Sequence, residues 1–399
     1  MAEIADSPPT GRILVVDDTE YNRDLLERRL SRRGFNVDAV EDGHAALDAI
    51  AATDYAIVLL DIMMPGIDGY EVLERLRETR SATELPIIMV TAKDESADIV
   101  RALKLGANDY ITKPIDFAVA LARINTHLLV SSSQAELRIA HTRMKRDLDA
   151  AAITQQRLLP GGQLDDERIA FGWEYRPCDE LGGDMVNFFR IDDDRIGLYV
   201  IDVSGHGVQS ALLSFALSQN LSPGGAPGAM VLEGQLDAQR PASPDTVIER
   251  LNAKHSMDAN GGLIATMQYG VIDLAVGTFT FVSAGHPDPV LIRDGETSIV
   301  TNVGGPPIGV LEDVKYELRK IELAPGDRIV MISDGVYEQY NSDGIPFGLD
   351  RYESELAGSI AIPVTDALSG LVRSVENWAG DREISDDISI LGFDIRSLA

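Results

Sequence analysis

Five short apolar segments alternate with five amphipathic segments between residues 12 and 127, and this alternation restricts the folds open to the N-terminal part. The apolar segments predict the strands Ile13–Val16, Phe35–Val40, Tyr55–Leu60, Ile87–Val90 and Tyr110–Ile111. The amphipathic segments predict the helices Tyr21–Arg33, Gly43–Thr53, Tyr70–Arg80, Ser96–Leu105 and Ile115–Val130. Five successive βα units favour an α/β fold, in which a five-stranded parallel sheet carries helices on both faces.

The segment from Val130 to Leu159 contains neither Pro nor Gly and predicts one helix, which ends at Pro160-Gly161-Gly162. Every seventh position in it is apolar, and these positions are Val130, Leu137, Met144, Ala151 and Leu158. The partner positions four residues further on are His141, Leu148 and Gln155, of which only Leu148 is apolar. The pattern indicates a weak coiled coil that would join two chains as a homodimer. A plain helical linker packed on a neighbouring domain explains it equally well.

Residues 165–396 follow a different pattern, in which short β-like segments dominate. The predicted strands are Ile169–Trp173, Ile196–Val203, Gln268–Asp273, Thr278–Ser283, Val290–Ile292, Arg328–Ile332 and Ile388–Phe393. The predicted helices are Val208–Leu221, Ser243–Met257 and Val364–Trp378. Ser222–Pro244 is rich in Pro and Gly and is expected to be a loop with one short turn of helix. The pattern favours an α+β fold dominated by antiparallel hairpins.

Length and charge limit the classes of function. A chain of 399 residues is long enough for two domains of ordinary size. It has no apolar run long enough to cross a membrane, and its acidic N-terminus lacks the order of a signal peptide. The single cysteine, Cys178, suits a reducing compartment, so we expect a cytoplasmic protein without a membrane partner. A net charge of -29 opposes nucleic-acid binding, because such binding depends on cationic side chains that neutralise phosphates.

Polar side chains with complementary chemistry follow the predicted strands of the N-terminal domain. Asp17 and Asp18 follow the first strand, Asp61 follows the third, Thr91 ends the fourth and Lys113 follows the fifth. Ligands of such folds bind where the carboxyl ends of parallel strands meet, so we expect these side chains to lie together. Three neighbouring carboxylates repel one another unless a cation such as Mg²⁺ binds them. A carboxylate beside Mg²⁺ can accept a phosphoryl group, whose oxygens a lysine and a hydroxyl would bind.

These residues, with Met63-Met64-Pro65-Gly66 and Asp68-Gly69, resemble the receiver domain of two-component response regulators from Arg12 to about Leu128. The resemblance implies a flavodoxin-like fold, a cis Lys113–Pro114 peptide, and a sensor histidine kinase or phosphotransfer protein as partner. It also implies that Asp18, Asp61 and the backbone carbonyl of Met63 bind Mg²⁺, while Asp17 does so partly through water. Asp61 would accept the phosphoryl group, and Thr91 and Lys113 would bind the phosphate. Tyr110 would be the aromatic switch residue.

Four acidic motifs occur in glycine-rich or serine-rich turns of the C-terminal part. They are Gly182-Gly183-Asp184, Asp202-Val203-Ser204-Gly205-His206-Gly207, Ser333-Asp334-Gly335 and Ser385-Asp386-Asp387-Ile388-Ser389. One such motif alone is more typical of a turn, but four in one domain favour a metal site. Oxygen ligands without a thiolate or clustered histidines favour Mn²⁺ or Mg²⁺ over Zn²⁺. Two such ions about 3.5–4 Å apart can share a water and position it for attack on phosphorus.

The motifs follow the order found in metal-dependent PPM-type (protein phosphatase 2C-like) Ser/Thr phosphatases. From about Gln155 to Asp394 the chain resembles the bacterial branch that dephosphorylates anti-sigma-factor antagonists. Further matching segments are Gln155-Gln156-Arg157-Leu158-Leu159-Pro160, Leu251-Asn252, Ser283-Ala284-Gly285-His286-Pro287 and Gly304-Gly305-Pro306-Pro307-Ile308-Gly309. The resemblance implies an antiparallel β-sandwich flanked by helices, two Mn²⁺ or Mg²⁺ ions, and a phosphorylated protein as substrate.

The resemblance also implies roles for single residues of this part. Asp202 would bridge both metals, the carbonyl of Val203 would ligate one, and Asp184 would serve the first metal directly or through water. Asp334 and Asp386 would hold the second metal, with Asp387 an open alternative to Asp386. Asn187 departs from the family, which has an acid there, and this change is expected to weaken metal binding.

Two of the six histidines invite a role as general acid. His206 lies close to Asp202 and is the better candidate, although a histidine in a glycine turn is more often structural. His286 precedes a proline and is expected to stabilise a turn. The other four histidines are expected at the surface, and the Cys178 thiol is expected to be structural.

The expected domains are a receiver over residues 11–128, a helical linker over 129–160 and a phosphatase over 161–396. The expected function is a response regulator that dephosphorylates phosphoserine or phosphothreonine on a partner protein, controlled by phosphorylation of Asp61. Phospho-Asp61 is expected to reorganise a linker-mediated dimer and thereby order the phosphatase metal site. The alternative is a phosphorylation-dependent adaptor with a non-catalytic phosphatase-like domain, which Asn187 favours. A DNA-binding regulator is opposed by the charge.

Overall fold

The computed structural model describes residues 11–92, 96–162, 164–222, 230–233, 240–301 and 304–398, without the side chains of residues 96–98. The chain divides into two compact units, Met1–Lys145 and Arg146–Ala399. Within the described ranges, no helix combines the length and the apolar character needed to span a membrane.

The N-terminal unit is built on one parallel sheet. Its strands are β1 (Arg12–Val16), β2 (Asn36–Val40), β3 (Ile57–Asp61), β4 (Ile87–Ala92) and β5 (Asp109–Lys113), in the order β2-β1-β3-β4-β5. Its helices are α1 (Glu20–Ser31), α2 (Gly43–Ala52), α3 (Gly69–Arg77), α4 (Ser96–Lys104) and the first part of α5 (Phe117–Gln156). Two buried apolar clusters cover the two faces of the sheet. The predicted receiver fold is confirmed, and each predicted element lies within a few residues of an observed one.

Helix α5 joins the last receiver helix and the predicted linker in one uninterrupted helix of 40 residues. It begins three residues after Pro114 and ends at Gln156, four residues before Pro160. Val130, Leu137 and Met144 of the seven-residue repeat are exposed on it. The boundary between the two units, Lys145 and Arg146, lies within this helix.

The C-terminal unit contains two five-stranded antiparallel sheets, in the orders β15-β12-β11-β8-β7 and β14-β13-β16-β17-β6. Its strands are β6 (Ile169–Arg176), β7 (Met185–Arg190), β8 (Arg195–Val203), β9 (Leu232–Glu233), β10 (Arg240–Pro241), β11 (Ala265–Asp273), β12 (Thr278–Ala284), β13 (Val290–Arg293), β14 (Glu296–Ile299), β15 (Arg319–Glu322), β16 (Arg328–Ile332) and β17 (Ile388–Ile395). Its own helices are α6 (Val208–Gln219), α7 (Pro244–Lys254), α8 (Gly335–Glu338), α9 (Leu349–Ala357) and α10 (Val364–Ala379).

The two sheets pack face to face around an aromatic core. Phe171 of β6 stacks on Phe188 of β7 with ring centroids 4.2 Å apart. Phe279 of β12 meets the edge of Phe393 of β17 at 5.4 Å. Both pairs join one sheet to the other, and helices α6 and α7 contact one sheet while α10 contacts the other. The predicted antiparallel sandwich flanked by helices is therefore confirmed.

The region between α6 and α7 is described in part. The described residues between Ser222 and Ser243 include the two-stranded ribbon of β9 and β10, and α7 begins at Pro244. The backbone N–H of Met230 donates to the carbonyl of Asn220, and that of Ala242 donates to the carbonyl of Val231. These bonds fix the described ends of the segment as an extended ribbon. Residues 223–229 and 234–239 of the predicted loop lie outside the described residues.

Candidate functional sites

The first acidic site lies at the carboxyl ends of β1 and β3 in the N-terminal unit. The side chains of Asp17 and Asp61 are buried and that of Asp18 is exposed. One carboxylate oxygen from each lies within 4.8 Å of the other two. This separation fits three oxygen ligands of one hard cation, because such ligands lie about 2.0–2.6 Å from the ion.

Lys113, at the end of β5, supplies the positive charge of this site. Its Nζ lies 2.7 Å from Asp61 Oδ2 and 3.0 Å from Asp17 Oδ2. Burial alone would lower the pKa of Lys113, but the hydrogen bonds to the two carboxylates outweigh burial and raise it. Burial raises the pKa of Asp61, with Lys113 opposing the rise and the charge of Asp17 adding to it. The lysine therefore stays charged, and it compensates two buried acids at once.

The segment after Asp61 is held tightly against the end of β3. A Cβ atom at Gly69 would lie 2.2 Å from the carbonyl oxygen of Asp61, so only glycine fits there. Asp68 Oδ1 accepts a hydrogen bond from the backbone N–H of Glu71 and begins α3. The backbone of Met63 lies in this short turn.

The Lys113–Pro114 peptide is cis, as the receiver resemblance implied.

The remaining predicted receiver residues lie on β4 and β5. Asp61 pairs with Val90 in the sheet, and the buried Thr91 follows at the same edge. Tyr110 is half-buried and lies three residues before Lys113, with the guanidinium of Arg123 over its ring at 5.4 Å. Sequence reasoning missed Asn22, whose Nδ2 donates to both oxygens of Asp17. A helix residue five positions after the acid carries no motif that would identify it.

The second acidic site lies where β7, β8, α8 and β17 meet in the C-terminal unit. Asp202, near the end of β8, accepts a hydrogen bond from Thr266 Oγ1 at 3.4 Å. The carboxyl of Asp184 lies beside it and is buried, with Oδ2 free of any hydrogen bond from the described residues. Asp334 begins α8, and Asp386 lies just before β17 with an accessible side chain.

These four aspartates face one another, and no described lysine or arginine forms an ion pair with them as Lys113 does in the first site. Burial and the charges of Asp334 and Asp386 raise the pKa of Asp202 to about 7. Burial and the charge of Asp386 raise the pKa of Asp334 to about 6. Burial and neighbouring acids also raise the pKa of Asp184 well above its ordinary value. Such mutual repulsion is what a bound divalent cation would relieve.

The spacing of the second set differs from that of the first. Among the described residues, only Asp17, Asp18 and Asp61 place three candidate ligand atoms within 4.8 Å of one another. The C-terminal aspartates are spread more widely. A pair of ions about 3.5–4 Å apart needs such a spread, because its ligands surround two centres. Together with the buried, unpartnered oxygen of Asp184, this donor set fits the two cations that the phosphatase resemblance implies.

Asp387, the alternative to Asp386, has different surroundings. Its Oδ1 accepts a hydrogen bond from the backbone N–H of Cys178 at 2.8 Å. Its Oδ2 accepts from the backbone N–H groups of Gly183 and Asp184 at 2.5 and 3.2 Å. Asp387 thus holds the loop that carries Asp184, while the accessible Asp386 is left to face Asp334.

Two glutamines support the loops of this site through contacts that sequence reasoning missed. The buried Gln339 accepts hydrogen bonds from Ser385 N at 3.0 Å and Ser385 Oγ at 3.2 Å, directly before Asp386. The buried Gln155, near the end of α5, donates to the carbonyl of Gly182 at 2.7 Å. Neither contact could be read from spacing, because each joins segments far apart in the chain.

Asn187 lies on β7 and contacts the end of the linker. Its Nδ2 donates to the carbonyl of Leu158 at 3.4 Å, and its Oδ1 accepts from the N–H of Phe188 at 2.8 Å. The Asn187 amide therefore has backbone partners of its own.

The histidines have three kinds of surroundings. His206 is exposed and its Nδ1 lies 3.0 Å from Asp179 Oδ2. His286 is buried with Nδ1 2.8 Å from Thr266 Oγ1, and burial lowers its pKa to about 3, so it is a neutral core residue. The surface prediction was wrong for His255, which is buried against Asn220, and for His127, which contacts Asp109.

Burial and the nearby negative charge of Asp387 raise the pKa of the Cys178 thiol to about 12, which fits an unreactive thiol.

Two family models match the chain. The model described as stage II sporulation protein E (SpoIIE) matches residues 192–396, just over half of the 399 residues. The model described as response regulator receiver domain matches residues 13–125. The two matches fall in the C-terminal and N-terminal units respectively.

Curated relatives match the N-terminal unit. An uncharacterized transcriptional regulatory protein, YkoG of Bacillus subtilis, is 44% identical over 126 residues, which are 32% of this chain and 54% of that protein. The transcriptional regulatory protein HprR of Escherichia coli is 41% identical over 117 residues, 29% of this chain and 51% of that protein. The chain thus spans about half the length of the curated relatives it matches.

A solved structure matches the C-terminal unit. The SiaA-PP2C domain of Pseudomonas aeruginosa superposes with a TM-score of 0.53 at 22% identity, covering 64% of this chain and 98% of that one. This likeness shows that the C-terminal unit has the PP2C phosphatase fold.

Proposed function

We propose that this chain, which belongs to the stage II sporulation protein E (SpoIIE) family, is a response regulator whose output is metal-dependent dephosphorylation of a phosphoprotein. One observation carries the proposal: four aspartates from separate loops converge in the C-terminal unit, where the described residues place no lysine or arginine among them and no hydrogen-bond partner on a buried oxygen of Asp184. A receiver unit in the same chain supplies a control input.

In the receiver, Asp61 is the phosphoacceptor. Asp17, Asp18, Asp61 and the carbonyl of Met63 would hold one Mg²⁺, which neutralises charge on the phosphoryl group when bound. An oxygen of Asp61 forms the new bond to phosphorus as the bond from phosphorus to the donor breaks. Lys113 already lies 2.7 Å from Asp61 Oδ2 and needs only a short movement to bind a phosphate oxygen. Thr91 would bind a second oxygen, and Tyr110 would respond to that movement.

In the phosphatase, two Mn²⁺ or Mg²⁺ ions would be held by Asp184, Asp202, the carbonyl of Val203, Asp334 and Asp386. When bound, the ions supply a water of lowered pKa and a positive clamp for phosphate oxygens. Asp202 would serve both ions, a role that its neighbours Asp184 and Asp334 support. Asp387 and Gln339 hold the two loops that carry Asp184 and Asp386. His206 is the candidate that gives a proton to the departing seryl or threonyl oxygen.

The partners follow from these two sites. A sensor histidine kinase or phosphotransfer protein would deliver the phosphoryl group to Asp61. The substrate would be a partner protein that carries phosphoserine or phosphothreonine, and an anti-sigma-factor antagonist is the expectation from the family resemblance. The exposed residues Val130, Leu137 and Met144 on α5 would let the linker associate with that of a second chain.

The input reaches the output through α5. This helix begins in the receiver and ends with Gln155, which holds the carbonyl of Gly182 in the loop of Asp184. Phosphorylation that repacks the receiver end of α5 would therefore act on a metal-binding loop. The direction of the effect, activation or inhibition, is an outcome of the experiment.

Turnover of a phosphoserine peptide with Mn²⁺, with and without beryllofluoride, tests the proposal on three proteins. We expect wild type to be active and its rate to change with beryllofluoride. Asp61→Ala should keep the basal rate and lose the response, whereas Asp202→Ala should lose turnover. Turnover in Asp202→Ala equal to that of wild type, or none in wild type, would favour the alternative, an adaptor whose phosphatase-like domain only binds partners.

A further inference from the structure

Asp179 and His206 form a pair beside the second acidic site. His206 lies in the turn between β8 and α6, where Gly205 and Gly207 have φ angles of 77° and 89°. These left-handed conformations suit glycine and turn the chain sharply, so that the ring leaves the sheet edge. Nδ1 of the ring lies 3.0 Å from Oδ2 of Asp179.

The metal-binding loops fix both members of the pair. The backbone N–H of Gly207 donates to the carbonyl of Leu181 at 3.0 Å, which joins the two turns directly. Asp387 holds the N–H of Cys178 next to Asp179, and the N–H of Glu180 donates to Asp179 Oδ1 at 2.9 Å. The pair is therefore built on the loop that carries Asp184 and is not a chance surface contact.

The second nitrogen of the His206 ring is available. No described residue bonds to Nε2, and 61% of the side chain is exposed. The ring lies near Asp386, where a positive charge on it would oppose the rise that partial burial causes in the pKa of Asp386. A ring with one nitrogen on a carboxylate and the other open beside a candidate metal ligand has the geometry of an oriented acid–base group.

We propose that Asp179 is a positioning residue that holds Nδ1–H of His206 and keeps Nε2–H toward the departing oxygen, which enables the enzyme to hydrolyse phosphate esters of poor leaving groups. This inference rests on the proposed phosphatase function and accounts for its action on alkyl esters such as phosphoserine and phosphothreonine.

Hydrolysis of phosphoserine forms one bond to phosphorus and breaks another. A hydroxide oxygen forms a bond to phosphorus, and the bond from phosphorus to the seryl oxygen breaks. The electron pair of that bond goes to the seryl oxygen, which takes the Nε2 proton of the imidazolium. The products are inorganic phosphate and the free hydroxyl, and solvent returns a proton to Nε2. A nitrophenolate leaves without a proton, so nitrophenyl phosphate does not need this step.

Two substrates separate this role from a structural one. Full-length wild type, Asp179→Ala, His206→Ala and the double variant are assayed with Mn²⁺ on a phosphoserine peptide and on p-nitrophenyl phosphate. We expect each single variant to lose about 10²-fold in kcat on the peptide and less than about threefold on p-nitrophenyl phosphate. The double variant should be no slower than His206→Ala, because the two residues act as one unit. Asp193→Ala, an exposed aspartate of the same unit, is the control and should match wild type.

Equal losses on both substrates, or additive losses in the double variant, would overturn the inference and leave the phosphatase function in place. If wild type hydrolysed neither substrate, the proposed function would fail and the inference with it. A second readout needs no metal: the ¹⁵N spectrum of neutral His206. We expect its proton on Nδ1 in wild type and mainly on Nε2 in Asp179→Ala. An Nε2 proton in both proteins would also overturn the inference.

Discussion

His286 shows at the scale of one residue how burial fixes a protonation state. The unfolded chain binds a proton to this ring near pH 6.5, whereas burial lowers the pKa in the folded protein to about 3. Between these two values the unfolded state therefore holds the extra proton. The sign follows: this histidine lowers the stability of the fold as pH falls below about 6.5.

Urea unfolding of wild type and His286→Gln tests this effect between about pH 5 and pH 7. We expect the stability advantage of wild type to shrink by about 1.4 kcal/mol for each pH unit below 6.5. Carboxyls with raised pKa values, such as Asp202, act with the opposite sign in both proteins, so the difference is the readout. Tryptophan fluorescence reports on unfolding of the C-terminal unit, because Trp173, Trp378 and His286 all lie in it. A difference that is constant with pH would contradict the prediction.

Single residues also mark the limit of what sequence can predict. The acidic motifs identified which loops carry the candidate ligands, because an acid beside glycine or serine in a turn is visible as a pattern. They could not decide whether Asp386 or Asp387 is the candidate metal ligand, since both are carboxyls in one motif. The distinction comes from the hydrogen bonds that Asp387 accepts from Cys178 and Gly183, more than 200 positions away in the sequence. The supporting contact of Gln339 was missed for the same reason, because its partner Ser385 is distant in the sequence.

At the scale of the element, helix α5 continues from the receiver to Gln156, and its Gln155 side chain is hydrogen-bonded to the loop that carries Asp184. Gln155 and Gln156 are neighbours on this helix, yet Gln155 is buried on the loop of Asp184 and Gln156 is exposed. The helix end therefore presents one glutamine to the loop that carries Asp184 and the other to solvent. This difference provides a matched pair of variants.

We expect Gln155→Ala to raise the Mn²⁺ concentration needed for half-maximal turnover by about tenfold or more, and to weaken the response to beryllofluoride. The reason is that the loop of Asp184 loses the hydrogen bond that holds the carbonyl of Gly182. Gln156→Ala keeps the helix and should match wild type. The measurement is a Mn²⁺ titration of phosphopeptide turnover with both proteins. Identical titrations for the two variants would show that this contact does not reach the metal site.

Edge position explains three of the five strands that sequence analysis missed among the described residues. Strands β7, β14 and β15 each lie at an edge of their sheets, and β14 and β15 carry charged residues. An edge strand needs no continuous apolar run, because one side of it faces no neighbour and charge there discourages aggregation. The interior strands β8, β11 and β17 have long buried runs and were predicted from those runs.

For the whole molecule, the two acidic sites differ in how their charge is compensated. The receiver site has Lys113 within hydrogen-bonding distance of Asp17 and Asp61. In the C-terminal site, burial and the neighbouring acids Asp334 and Asp386 instead raise the pKa of Asp202 to about 7. We therefore expect divalent cations to stabilise the C-terminal unit more than the N-terminal unit.

Calorimetric unfolding of the full chain at about pH 7.5, with Mn²⁺ and with a chelator, tests this difference. At a hundredfold excess over Kd, each Mn²⁺ site should stabilise the C-terminal unit by about 2.7 kcal/mol. Chelation should reverse this gain, and Asp202→Asn should show little of it. Asp61→Asn is the matched control, because it removes a receiver ligand and should leave the C-terminal response intact. A full response in Asp202→Asn would exclude Asp202 as a ligand.

The pairing of β6 with β17 has a consequence for synthesis on the ribosome. Ile169 pairs with Ile395, so one sheet of the sandwich joins segments at opposite ends of its unit. The receiver strands pair with partners far closer in sequence, such as Ile13 with Ile57. The receiver can therefore complete its sheet early in translation, whereas the catalytic unit must wait for residues 388–395 to emerge. A nascent chain would acquire its input before it could produce any output.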